Sequence, residues 1–139
     1  MDTYGLIGYP LGHSFSRGYF TDYFGREGID AEYKNFELPS IEQLAQVLQE
    51  EPTLQGFNVT IPYKQQVFPY LDEVDAAAQA IGAVNVVKAS RHDGKTHLKG
   101  YNTDGAGFAI AHQQMFGIRL GYILADKWFG TNGGKRKKE

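Results

Sequence analysis

The sequence predicts an α/β fold: a mostly parallel open sheet with one antiparallel hairpin, and helices on both faces. Two observations predict it. Strand-like and helix-like segments alternate three times, the order that builds parallel strands joined by helices. The Asp93–Gly94 pair then separates two strand-like runs, a strong hairpin signal.

Each element has its own local reason. "TYGLIGYP" is a first strand that ends at Gly8 and is stopped by Pro10, and "LGHS" is a loop. "SFSRGYFTDYFGREG" places Phe20, Tyr23 and Phe24 at helical spacing and closes at Gly28. "AEYKNFEL" is a second strand. "PSIEQLAQVLQE" is a helix whose Ser40 and Gln43 match a capping box and whose Ile41, Leu44, Val47 and Leu48 form one stripe. In "LQGFNVT" Phe57 and Val59 alternate with Asn58 and Thr60, as in a half-buried strand. A short helix from Pro62 follows, proline being tolerated in a first turn. "DEVDAAAQAIGA" reads as a further helix ending near Gly82. "AVNVVKAS" and "THLKGYN" are the hairpin strands, "TDGAGFAIAHQQMFGI" is a last helix, and Tyr122 to Ala125 opens another strand.

Composition limits the function. The chain has 139 residues, enough for one domain or one domain and part of another. The last five residues hold four of the fourteen basic and one of the sixteen acidic residues, leaving ten against fifteen, a body of net charge −5. That balance argues against nucleic acid as the main partner. The absence of cysteine excludes disulfides, thiolate zinc sites and cysteine nucleophiles. The first ten residues lack the basic lead and apolar run of a signal peptide, and no stretch approaches the roughly 20 apolar residues of a membrane span. The expectation is a cytoplasmic protein without a membrane partner.

The polar residues gather at expected strand ends, where open α/β sheets bind ligands. Ser14 and Ser16 follow the first strand, Thr60 and Lys64 the third; Asn85 lies in the first hairpin strand, and Asn102, Thr103 and Asp104 follow the second. Hydroxyls and amides both donate and accept, and with one lysine they suit a small, hydroxylated, anionic ligand. Simpler readings stand beside this one. Ser14, Ser16 and Asp104 occupy N-cap positions, Thr60 finishes a strand, Asn85 satisfies a gap in the sheet, and Lys64 alone is a surface lysine. If Lys64 and Asp104 meet, the lysine can exchange a proton with an alcohol while the carboxylate favours its charged form. The four histidines, His13, His92, His97 and His112, show no metal spacing. "GTNGGKR" fails the P-loop pattern, because Phe129 replaces its first glycine and Arg136 its Ser/Thr, and it fails G-x-G-x-x-G as well.

"GYPLGHSFS" (8–16), "FNVTIPYKQ" (57–65), "IGAVNVV" (81–87) and "GYNTDGAGF" (100–108) together resemble the substrate-binding domain of the shikimate dehydrogenase family. The resemblance covers residues 3 to 118. It implies NADP-dependent interconversion of 3-dehydroshikimate and shikimate in aromatic amino-acid biosynthesis. By motif position it implies that Ser14 and Ser16 hold the substrate carboxylate and that Thr60, Asn85 and Asp104 bind ring hydroxyls. Lys64, paired with Asp104, is then the catalytic acid/base, and the third strand brings Asn58 and Thr60 to the cleft. Quinate is the neighbouring substrate.

The domain expectation is a shikimate-binding domain over 1–120, followed over 121–139 by an aberrant start of a Rossmann NADP-binding domain with a basic tail. Little turnover is expected without that domain. A freestanding module that binds shikimate or quinate without redox activity is the alternative. A sheet face left uncovered by the missing half favours association, so a homodimer is one expected state.

Overall fold

The computed structural model describes residues 1–12 and 15–103, with backbone alone at Phe15 and Ser16. The expected last helix, the strand at Tyr122–Ala125 and the 121–139 segment lie outside the described residues, as do His13, Ser14, Asp104 and His112.

Six strands form one sheet: β1 (Asp2–Gly8), β2 (Ala31–Glu37), β3 (Leu54–Val59), β4 (Glu73–Val74), β5 (Val86–His92) and β6 (Lys95–Tyr101). Their order is β2-β1-β3-β5-β6-β4. β1 pairs in parallel with β2 and β3, and β4 in parallel with β6. β5 is antiparallel to both β3 and β6, so it alone runs against the other five. The hairpin turns where expected. Asp93 and Gly94 both take left-handed backbone, with φ of 53° and 77°, the conformation a two-residue turn between right-twisted strands requires.

Helices cover both faces. On one side α1 (Phe15–Glu27) lays Phe20, Tyr23 and Phe24 against Tyr4, Leu6 and Tyr33. The Phe20 and Tyr33 rings stack at 4.8 Å. The other side carries the larger core, where Ile7, Leu54, Phe57, Val59, Val84 and Val87 meet the short helices. Here the expected helix over 39–50 divides into a 3₁₀ turn, Ile41–Gln43, and α2 (Leu44–Glu50). The capping box is present: Ser40 Oγ accepts from Glu42 N–H, and Gln43 Oε1 accepts from Ser40 N–H, each at 3.3 Å.

The expected helix over 72–83 is corrected. Glu73 and Val74 instead pair with Lys99 and Gly100 as β4, and only Ala76–Ile81 is helical, as α4. Asp75 separates the two by accepting from Ala77 N–H at 3.1 Å, a side-chain cap that starts the helix there. Between β3 and β4 lie α3 (Tyr63–Gln66) and a 3₁₀ turn, Phe68–Tyr70. Among the described residues, no helix is long and apolar enough to cross a membrane.

Two outcomes test this packing. A Cβ at Gly100 would stand 2.6 Å from Leu71 Cδ1 and 2.9 Å from Val84 Cγ2. Gly100→Ala is therefore expected to cost about 1–3 kcal/mol by overpacking, seen as a lower urea midpoint at unchanged slope. Burial, with Asp2 as a second cause, pushes the Tyr4 hydroxyl up from 10.0 to about 12. Because the folded value is the higher one, the stability gained by keeping this phenol neutral is full below pH 10 and is lost as pH rises through about 12. Tyr4→Phe should accordingly lose less stability across that interval than the wild type, in urea titrations at stepped pH.

Candidate functional site

Backbone hydrogen bonds draw the ends of four strands into one row. Thr60 N–H donates to Ile7 O at 2.9 Å, and Tyr9 N–H to Ile61 O at 3.1 Å. Val59 N–H donates to Asn85 O at 2.9 Å, and Asn85 N–H to Tyr101 O at 3.0 Å. The carboxyl ends of β1, β3 and β6 thus stand beside the amino end of β5, which is where an open sheet of this kind offers room for a ligand. Thr60, Asn85, Asn102 and Thr103 all belong to this row.

Asn85 is not inside the hairpin strand. It immediately precedes β5, because its carbonyl serves β3 and its amide serves β6 before regular pairing begins at Val86. Its side chain, 5% exposed, grips Thr103 twice: Nδ2 donates to Thr103 Oγ1, and Oδ1 accepts from Thr103 N–H, both at 3.0 Å. Asn102 Nδ2 donates to Ala83 O at 3.1 Å. The turn that leads from β6 to Asp104 is therefore clamped to the segment that leads into β5.

Lys64 sits on α3 and is half-buried. Its carbonyl accepts from Val84 N–H at 2.9 Å, joining α3 to the same segment. Tyr63 enters the core and its hydroxyl donates to the Leu38 carbonyl. Burial pushes the Tyr63 hydroxyl pKa upward. Lys64 also lines a cavity of about 340 Å³ with Ile61, Pro62, Gln65, Gln66 and Ala83. Neither Thr60 nor Asn85 lines that cavity, so it adjoins the strand-end row without being its centre.

Asn58, which the family resemblance brings to the cleft with Thr60, is 0% exposed; its Oδ1 accepts from Tyr33 O–H at 2.7 Å on the α1 side of the sheet, and its Nδ2 has no partner among the described residues. Alternation places it on that face correctly; the burial comes from Tyr33 and α1, which no local pattern reveals.

The structure brings Thr60, Lys64 and Asn85 to one end of the sheet. Ser16 lies in the first turn of α1, and its side chain, like Ser14 and Asp104, is outside the described residues. Thr103 entered the sequence reading only as one of the polar residues at a strand end, without its partner, and Tyr63 escaped it as a functional position. Their partners lie 18 and 25 residues away, at separations without periodic meaning. His97 Nε2 stands 3.3 Å from Glu73 Oε1, and Lys99 Nζ closes on the other carboxylate oxygen, Oε2, at 2.9 Å. Among the described residues, no group of His, Asp or Glu could hold a metal ion.

The family described as "Shikimate dehydrogenase substrate binding domain" matches residues 6–87, from β1 into β5. That is more than half of the chain. The chain belongs to this family. It is 43% identical to the shikimate dehydrogenase (NADP(+)) of Geobacillus kaustophilus over 136 residues, which is 96% of this chain and 47% of the relative. It is 46% identical over 114 residues to the shikimate dehydrogenase (NADP(+)) of Bacillus cereus strain AH187, covering 81% of this chain and 39% of the relative. The chain thus spans less than half the length of these relatives.

Among solved structures, one of a shikimate dehydrogenase in complex with NADP+ is 41% identical, with a TM-score of 0.62 over 84% of this chain and 40% of that one. The Thermus thermophilus enzyme in complex with NADP(H) and shikimate is 33% identical, with a TM-score of 0.63 over 82% of this chain and 42% of that one. The family match takes in Ser14, Ser16, Thr60, Lys64 and Asn85 and stops short of Asp104.

The Asn85–Thr103 clamp is testable by itself. Asn85→Ala should cost about 1–3 kcal/mol, since it strips partners from a buried pair, in urea unfolding followed by circular dichroism. An unchanged midpoint would mean that solvent replaces the amide.

Proposed function

We propose that this chain is the substrate-binding half of an NADP-dependent shikimate dehydrogenase, an enzyme that interconverts 3-dehydroshikimate and shikimate in aromatic amino-acid biosynthesis. One observation carries the reading: the segments bearing Thr60, Lys64 and Asn85, and those leading to Ser14 and to Asp104, leave the sheet at the same end. Their chemistry, hydroxyls and amides around one cation, matches a small polyhydroxylated acid. Residues 1–120 constitute the domain in this reading, in a cytoplasmic setting, with a small acid as partner in place of nucleic acid.

The roles follow the family motifs. Ser14 and Ser16 hold the carboxylate; Thr60, Asn85 and Asp104 bind ring hydroxyls. Oxidation of shikimate breaks an O–H and a C–H bond at one ring carbon and leaves a carbonyl there. Lys64 takes the hydroxyl proton and returns it in the reverse direction. Asp104 orients the lysine. NADP supplies the two-electron chemistry when bound. Nothing among the described residues fits its pyrophosphate, for no two glycines in residues 1–103 have the G-x-G spacing of a dinucleotide turn. A second reading, in which this chain binds shikimate or quinate without redox chemistry, rests on the same polar row at the strand ends.

Calorimetric titration of shikimate into the purified chain is the direct test. Saturable heat that Asp104→Ala abolishes is expected; no heat from folded protein at millimolar ligand would sink the proposal. Adding NADP+ then divides the two readings, since NADPH formation belongs only to the first. In any preparation that turns over, Lys64→Ala should lower kcat by orders of magnitude with a smaller effect on substrate binding.

A further inference from the structure

We infer that Tyr63 is a positioning residue for Lys64: the hydrogen bond from its hydroxyl to the Leu38 carbonyl sets where the lysine stands. The inference rests on the proposed shikimate site and concerns how that site is held.

α3 has four residues, and Pro62 before it gives no side-chain cap. A helix this short has no stability of its own, so its position comes entirely from tertiary ties. Three are visible. Val67, 0% exposed, packs into the larger core; Val84 N–H holds the Lys64 carbonyl at 2.9 Å; and the Tyr63 hydroxyl reaches the Leu38 carbonyl. The first two hold α3 toward the core and toward the segment before β5. The third is the side-chain tie from α3 to the far side of the row, which the Tyr9–Ile61 backbone bond reaches from the residue before Pro62. Leu38 follows β2, and its own N–H donates to Gly8 O at 3.1 Å, so the Leu38 peptide connects Tyr63 to the end of β1. The segment carrying Ser14 leaves from there. The hydroxyl thus joins the Thr60–Ile7 and Tyr9–Ile61 backbone bonds in setting the separation between the lysine side of the site and the serine side.

Ring and hydroxyl have separable duties. The Tyr63 ring, 3% exposed, fills core volume that phenylalanine would fill equally well. Among the described residues only the hydroxyl satisfies the Leu38 carbonyl, and losing it takes the partner from a buried acceptor while loosening α3 on one side.

The test uses the full chain, with Tyr63→Phe, Lys64→Met and the double variant. The Lys64 εCH₂ signal is assigned in the NMR spectrum by its loss in Lys64→Met. Tyr63→Phe is expected to move that signal while leaving the amide signals of β1 and β5 in place, and to weaken shikimate binding by about fivefold or more. In the Lys64→Met background the same change should weaken binding by less than about twofold, the non-additivity expected of residues that act together. A Lys64 signal that stays in place overturns the inference, and so does a Tyr63→Phe loss that is equal in both backgrounds. If the wild type binds no shikimate, the proposed function fails for this chain, while the Lys64 signal still decides the role of Tyr63.

Discussion

The peptide of Asn85 is the joint on which the sheet turns. Its carbonyl takes the Val59 amide and its own amide goes to Tyr101, so one residue links β3 to β6 across the start of β5. That link carries the register that β5 sets between β3 and β6 out to the strand ends, so the residues after each strand share an edge. The side chain extends the same logic. By pairing with both the hydroxyl and the amide of Thr103, it fixes the chain just after β6, where secondary structure no longer can. Burial makes the arrangement stiff, because in a low-dielectric setting a lost partner costs more than an exchange with water.

Two apolar layers support this joint from opposite sides. α1 supplies an aromatic layer over β1 and β2, while the larger layer beneath β3 and β5 rests on the five short helical pieces described. Those pieces are too short to hold shape alone and depend on anchors such as the Ser40–Gln43 box, the Tyr63 hydroxyl and the Asp75 cap. The consequence for the site is direct. Lys64 stands on a segment placed by its neighbours, so its geometry is a property of the packed domain and not of the "IPYK" sequence.

Buried polar residues mark where family chemistry and structural duty overlap. Asn58 belongs to the same motif as Thr60 and Lys64, yet its carbonyl oxygen is engaged by Tyr33 beneath α1. Asn85 too is largely occupied by its clamp. A motif residue can therefore lie near a ligand site and still have part of its hydrogen-bonding capacity committed to the scaffold.

Much of this was legible without coordinates, because it depends on neighbours in the chain. The 3.6-residue spacing of Phe20 and Phe24, the period of two through Phe57 and Val59, and the Asp93–Gly94 turn are local signals, and each element appears where they place it. The gathering of polar residues at strand ends was legible in the same way, since sheet topology follows from the alternation of elements. β4 was not legible: Glu73 and Val74 are strand only because β6 offers an open edge, and the run of alanines after them reads as uninterrupted helix. Nor were the partners of Tyr63, Asn85, Asn58 and Arg91, the last of which donates to Leu54 O at 2.6 Å and to Glu51 O at 3.1 Å. Sequence by itself determined the elements, their faces and the chemical types available at one end of the sheet. Tertiary structure alone decided which of those groups face each other, because a hydrogen bond between residues 18 to 40 apart carries no period in the chain and exists only once packing has closed the distance.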